Sequence, residues 1–195
     1  MTYFVADCTN TYNMDFMERF RLSQALSHIR GRLLDIGCGY NNLVRRYGNG
    51  VGVDVYPWPG VDVLIGDDSR LPFPDGVFDT VTIIAALNHI PDRDVLLNEV
   101  RRVLRSEGHL ILTMIGPITG WLAHIVFRQD ERTRGNVKHG ELRGMTVRQI
   151  TRLLSSAGFE ISVHKTFECG LNHLYVARKR DQERQYEVIR HHSCV

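Results

Sequence analysis

Cysteine is scarce in this 195-residue chain, and the four present, Cys8, Cys38, Cys169 and Cys194, lie far apart with no CxxC pair. That spacing argues against a zinc cluster or a disulfide framework, and no metal is expected. It suits a reducing, cytoplasmic setting. Long apolar runs are missing as well. VTIIAAL (81–87) is among the longest, far short of a membrane span, so no transmembrane segment is expected. The opening MTYFVADCTNTY has no basic stretch followed by an apolar one, so no signal peptide is expected. Nor is there an excess of one charge: 24 basic and 22 acidic residues leave a net charge of +2. Without a basic stripe interleaved with aromatics, no nucleic-acid partner is expected. There is no internal repeat and no low-complexity block. No pattern speaks to the oligomeric state.

What is present is an ordinary globular balance, 43% hydrophobic and 24% charged, with enough apolar material for one α/β domain over 1–180. Leu22, Ala25, Leu26 and Ile29 follow helical spacing within 17–30, and Gly31 supplies a stop. LLDI (33–36) reads as a buried strand, with a short helix over 42–47 ending at Gly48. VGVDV (51–55), VDVLIG (61–66) and FDTVTIIAAL (78–87) read as further strands. Asp92 is expected to cap a helix running to about Arg105 and stopped by Gly108, followed by the strand HLILTMI (109–115). Strands alternating with helices predict a doubly wound, Rossmann-like sheet.

Residues 116–145 are polar, charged and weakly periodic. They are long for a plain loop, which suits a substrate-side insertion as well as a solvated excursion. WLAHIVF (121–127) inside it has the composition of a short helix, a cover for an apolar acceptor, or a membrane contact. TVRQ (146–149) is a capping box, opening a helix expected to bury Val147, Ile150, Leu154 and Ala157 and to stop at Gly158. FEISVHKTF (159–167) and HLYVARK (173–179), joined by turn formers, predict an antiparallel hairpin. The polar stretch 181–195 reads as a tail.

LLDIGCGYNNL (33–43) carries the chemistry. An apolar strand meets an acid and then two glycines, Gly37 and Gly39, a pattern that admits a nucleotide-like ligand. A dinucleotide fingerprint asks for a third glycine where Asn42 stands, which weakens a pyrophosphate loop. Asp54, closing the next strand, suits the vicinal hydroxyls of a ribose in either kind of cofactor.

DIGCGY, Asp54, GDDSRLPFPDGVFD (66–79), LNHIPD (87–92) and EVRRVLRSEGHLILT (99–113) follow one another in an order that resembles class I S-adenosylmethionine-dependent methyltransferases of the type 11 family, over about residues 30–115. The resemblance implies the class I methyltransferase fold, mainly parallel with an antiparallel C-terminal hairpin strand, and S-adenosyl-L-methionine as cofactor. It assigns Asp35, Gly37, Cys38, Gly39, Asp54, Val55, Asp67, Asp68, Ile84 and Ala85 to cofactor binding. Asp67 is the expected partner of the adenine amino group, and Asp68 offers its amide. Two departures stand out. Asn41 replaces a glycine, although asparagine tolerates positive φ, and RVLRSEGH has one glycine fewer than the family's turn.

The implied activity is methyl transfer to a small molecule, glycan or lipid precursor, with oxygen the expected acceptor atom and carbon or nitrogen left open. His89, His139 and Glu141 are the candidate general bases. His89 reads equally as a packed histidine, and KHGELRG (138–144) equally as a charged loop. Arg19 and Arg21 read mainly as surface charges. Two alternatives remain: a non-catalytic S-adenosylmethionine-binding protein, and a nicotinamide-dependent oxidoreductase.

Overall fold

The computed structural model describes residues 16–66, 70–116, 142 and 144–180. The expected insertion over 116–145 and the tail over 181–195 therefore fall almost wholly outside the described residues. Seven strands form one sheet in the order β3-β2-β1-β4-β5-β7-β6. They are β1 (Leu33–Ile36), β2 (Gly50–Asp54), β3 (Val63–Leu64), β4 (Phe78–Ile84), β5 (Leu104–Ile115), β6 (Phe159–Phe167) and β7 (Asn172–Lys179). β1 to β5 run parallel, and β7 is antiparallel to both β5 and β6. The expected reversed hairpin is thus present. The chain builds outward from β1 to β2 and β3, then returns to the other side of β1 with β4. Ligands of open α/β sheets bind beyond the strand ends at such a reversal.

Helices α1 (Phe16–Leu26) and α2 (Asn42–Tyr47) sit with an apolar cluster on one face, where Leu22, Ala25, Leu33, Leu43 and Ile111 are buried. On the other face, α3 (Arg93–Val103) and α4 (Val147–Ser156) bury Leu97, Val100, Ile150 and Leu154 against Leu34, Val81, Leu110 and Tyr175. β1 is enclosed on both faces, so its four residues are all buried. That double burial is why a short unalternated run reads as a central parallel strand.

Local chemistry explains most boundaries. Gly48 ends α2 with φ 86°, a left-handed residue whose amide reaches the Val44 carbonyl. Thr146 and Gln149 form the expected capping box, with the Gln149 amide donating to Thr146 Oγ1 and the Thr146 amide donating to Gln149 Oε1.

Several expectations are corrected. α1 ends at Leu26, before Gly31, although Ile29 is buried as expected. Strand β3 is only two residues long. Asp92 stands at the N-cap of α3, yet its side chain makes no capping bond; its carbonyl takes the Leu96 amide instead. Val147 is exposed, because α4 turns its inward stripe to Ile150 and Leu154. Gly108 does not stop α3. The helix ends at Val103, and residues 104–108 already run as β5, with a register shift against β4 between Phe78 and Thr80. Leu104 is fully buried there, so the early start follows from tertiary packing that local propensity does not encode.

Candidate active site

The reversal between β1 and β4 is floored by the loop that leaves β1. Gly37 (φ 70°) and Gly39 (φ 52°) both hold left-handed backbone. A Cβ on Gly37 would sit 2.6 Å from the Ala86 Cβ, so only glycine lets this loop lie against the turn after β4. A Cβ on Gly39 would meet nothing within 4 Å, so the space above that residue is open. The amides of Gly37 and Cys38 donate to the Val53 carbonyl at 2.9 and 3.1 Å, which pins the loop to β2. Burial, with Asp35, Asp54 and Asp62 nearby, pushes the Cys38 thiol far above its usual range. It is therefore held as an unreactive thiol.

Asn41, the departure from glycine, takes φ 61° and keeps the turn. Its side chain also does what a glycine cannot. Nδ2 donates to the Gly60 carbonyl and to Asp62 Oδ2, both at 2.8 Å, and Asp62 Oδ2 also takes the Gly52 amide at 2.8 Å. A Cβ on Gly52 would lie 2.0 Å from Asn41 Oδ1, so that glycine makes room for the brace. Asn42, where a dinucleotide fold wants its third glycine, is buried and ties the start of α2 to Glu18 of α1 at 3.0 Å.

Two carboxylates face this floor. Asp54, at the end of β2, is 8% exposed. Its Oδ2 accepts from the Gly39 amide and its Oδ1 from the Tyr56 amide, each at 2.9 Å. The group is thus aimed by backbone on both oxygens, and each oxygen keeps a lone pair for a ligand. Val55 beside it is half exposed. Asp35 is buried inside β1, where Thr82 donates to its Oδ1 at 2.6 Å. Burial raises its carboxyl to about 7; the Thr82 bond opposes that rise, and the charge of Asp54 adds to it. No cation among the described residues offsets this acid. Open space beside a ribose-type acid, with a second acid lacking a positive partner, fits a nucleoside that carries an ammonium and a sulfonium.

Ile84 ends β4, and Ala85 follows in left-handed backbone at φ 52°. Its amide is held by Thr113 of β5, through Oγ1 at 3.0 Å and the carbonyl at 3.3 Å. An alanine in that conformation stores strain, and such strain gathers at functional sites. A 3-10 turn (Leu87–His89) comes next. Arg93 clamps it, with Nε donating to the Leu87 carbonyl and Nη2 to the Asn88 carbonyl, both at 3.1 Å. His89 is half-buried, its Nε2 lying 3.1 Å from Asn88 Nδ2.

The structure therefore gathers Asp35, Gly37, Cys38, Gly39, Asp54, Val55, Ile84, Ala85 and His89 around one end of the sheet. Asp67, Asp68, His139 and Glu141 lie outside the described residues. Four contributors escaped the sequence reading: Thr82, Asp62, Arg93 and Gly52. Thr82 and Asp62 act through partners 47 and 21 positions away, Gly52 makes room for Asn41, and Arg93 holds carbonyls five and six positions back; none was singled out by a motif.

Residues 34–112 match the family described as "Methyltransferase domain". A demethylmenaquinone methyltransferase of Thermotoga maritima is 28% identical over 122 residues, 54% of this chain and 53% of the relative. A sterol 24-C-methyltransferase of Gibberella zeae is 24% identical over 160 residues, 69% of this chain and 40% of that protein. The chain thus spans about half, or less, of the length of these curated relatives. Among solved structures, an S-adenosylmethionine-dependent methyltransferase from Thermotoga maritima superposes with a TM-score of 0.66 at 21% identity, covering 82% of this chain and 88% of its own. A Burkholderia thailandensis 1,6-didemethyltoxoflavin N1-methyltransferase, solved with S-adenosylhomocysteine, gives 0.62 at 18% identity, covering 84% and 78%. Residues 34–112 therefore match the methyltransferase domain family, and the sheet shares the fold of solved S-adenosylmethionine-dependent methyltransferases.

Proposed function

We propose that this protein is an S-adenosylmethionine-dependent methyltransferase acting on a small organic acceptor, a glycan or a lipid precursor. One observation carries the reading. Asp35, one residue before the end of β1, and Asp54, at the end of β2, lie on adjacent strands beside the sheet reversal, around a loop that only glycine can form at position 37. When bound, the cofactor supplies a methyl group already activated by a sulfonium. The chain's own task is then binding and alignment, which can contribute on the order of 7–11 kcal/mol. Asp54 is assigned to the ribose hydroxyls and Asp35 to the cationic amino-acid end. Asp67 and the Asp68 amide are assigned to the adenine ring. His89, His139 and Glu141 stay the candidates for accepting an acceptor proton, a role worth about 10²–10⁴-fold where it is used.

The name of one relative, a sterol 24-C-methyltransferase, supports a carbon acceptor. Oxygen is the reading from the resemblance alone. The segment 116–145, which follows β5 in the sequence, is assigned to acceptor choice.

Calorimetric titration with S-adenosylhomocysteine tests the cofactor, with NAD as control and Asp54→Ala alongside. Micromolar binding of S-adenosylhomocysteine alone, weakened by the substitution, is the expected result; NAD binding instead would restore the oxidoreductase reading. Turnover of labelled donor with quinone, phenol and sterol acceptors excludes a purely binding protein. The position of the new methyl group in the product distinguishes carbon from oxygen.

A further inference from the structure

We propose that Trp58 is a positioning residue for cofactor binding, acting as a clasp between the two backbone segments that aim Asp54. The inference rests on the methyltransferase reading above. The donors to the Asp54 carboxylate come from different places in the chain: the Gly39 amide from the loop after β1, and the Tyr56 amide from the exit of β2. Aromatic rings stand at or beside both donors, Tyr40 next to Gly39 and Tyr56 itself. The Trp58 ring contacts both, with centroids 5.2 Å from Tyr40 and 4.6 Å from Tyr56 and interplanar angles of 54° and 49°. Tilted pairs at these separations are favourable. One indole therefore joins the two segments whose amides hold the carboxylate.

The position of Trp58 is itself constrained. Pro57 and Pro59 flank it and restrict the backbone. Its amide donates to the Tyr56 carbonyl at 2.8 Å, and its carbonyl takes the Val61 amide at 3.2 Å. Beneath the rings, Asn41 bonds to Gly60 and Asp62. The loop after β1 and the segment 56–62 are thus joined twice, by a polar brace inside and an aromatic clasp outside. Tyr40 and Tyr56 are 39% and 45% exposed, so the rings add little to the core. Their consequence is local: a carboxylate held by two amides reaches ribose hydroxyls without first being ordered.

The test compares Trp58→Ala and Trp58→Phe in the full chain, by amide hydrogen exchange without ligand and by S-adenosylhomocysteine calorimetry. In Trp58→Ala, exchange at the Gly39 and Tyr56 amides should quicken while the amides of β4 stay protected. Affinity for S-adenosylhomocysteine should fall by about tenfold. Trp58→Phe, which keeps a ring, should restore most of both. Tyr56→Ser and Tyr40→Ala, each removing one ring pair, should move exchange the same way and cover the case in which Trp58→Ala misfolds. Wild-type affinity in Trp58→Ala overturns the proposal even if exchange quickens, because the clasp would then be structural only. Unchanged exchange at both amides overturns it as well. If the wild-type protein fails to bind S-adenosylhomocysteine, the cofactor reading falls, and exchange at these two amides still decides whether Trp58 holds the donors of Asp54.

Discussion

Asp35 and Thr82 stand opposite each other on neighbouring parallel strands, and the threonine hydroxyl donates 2.6 Å to the carboxyl. That bond is the polar support of an acid which burial pushes up to about 7. Near neutral pH the group is therefore divided between its two forms, and a cationic ligand selects the ionised one.

Binding of the positively charged donor should accordingly release a proton below pH 7. Its affinity should drop about tenfold for each pH unit below that point and level off above it. Calorimetry at one pH, in two buffers of different ionisation heat, measures the released proton directly. Asp35→Asn should weaken binding at pH 8 and flatten this dependence. An unchanged slope in that variant would remove Asp35 from the site.

The same group predicts a stability effect of opposite sense. The folded carboxyl has its affinity for protons raised from 3.8 to about 7. Its stabilising contribution is complete below pH 3.8 and is lost as pH rises through about 7. At pH 8, without ligand, Asp35→Asn should be more stable than wild type by up to roughly 4 kcal/mol. Urea unfolding at pH 5 and pH 8 checks this; the gain should shrink at the lower pH.

Two positions with left-handed backbone, Gly37 and Ala85, should respond to substitution with opposite signs. Gly37→Ala adds a Cβ at φ 70°, 2.6 Å from that of Ala86. It should cost about 1–3 kcal/mol and impair S-adenosylhomocysteine binding. Ala85 already carries a side chain at φ 52°. Ala85→Gly should relieve about 1 kcal/mol, less the added freedom of the unfolded chain. Thermal unfolding of both variants gives the two signs.

Arg102 organises the connection leading from the 67–69 segment to β4. It bonds Glu99 at 2.7 and 2.8 Å and Asp75 at 2.8 Å, and it donates to the carbonyls of Phe73 at 2.7 Å and Leu71 at 3.0 Å. The Glu99 pairing lowers the Glu99 carboxyl and raises the guanidinium. Arg102→Met should cost about 2 kcal/mol, a figure reduced for its partial exposure. Added salt should narrow the gap only slightly if the carbonyl bonds dominate, which denaturation at two ionic strengths would show.

Where one residue's chemistry sets a boundary, the sequence was a reliable guide. LLDI forms the strand its apolar run suggests, Gly48 closes α2, and Thr146 with Gln149 caps α4. Asn41 kept the turn because its short polar side chain accepts positive φ. The misses lie where a distant partner outweighs local preference. Gly108 reads as a helix stop, but pairing with β4 draws residues 104–108 into a strand. Asp92 reads as a cap, yet its side chain makes no such bond.

The candidate site divides in the same way. Apolar runs, glycines and acids at strand ends determined that a doubly wound sheet presents Asp35 and Asp54 beside a glycine loop, because alternation, burial and turn chemistry are local properties. Only the tertiary structure decided that Thr82 supports Asp35, that Asn41 reaches Asp62, and that Trp58 bridges Tyr40 and Tyr56. Apart from the neighbours Tyr56 and Trp58, those relations join residues 18 to 47 positions apart. They exist only once strand register and loop packing have brought the partners together, and no local pattern encodes that meeting.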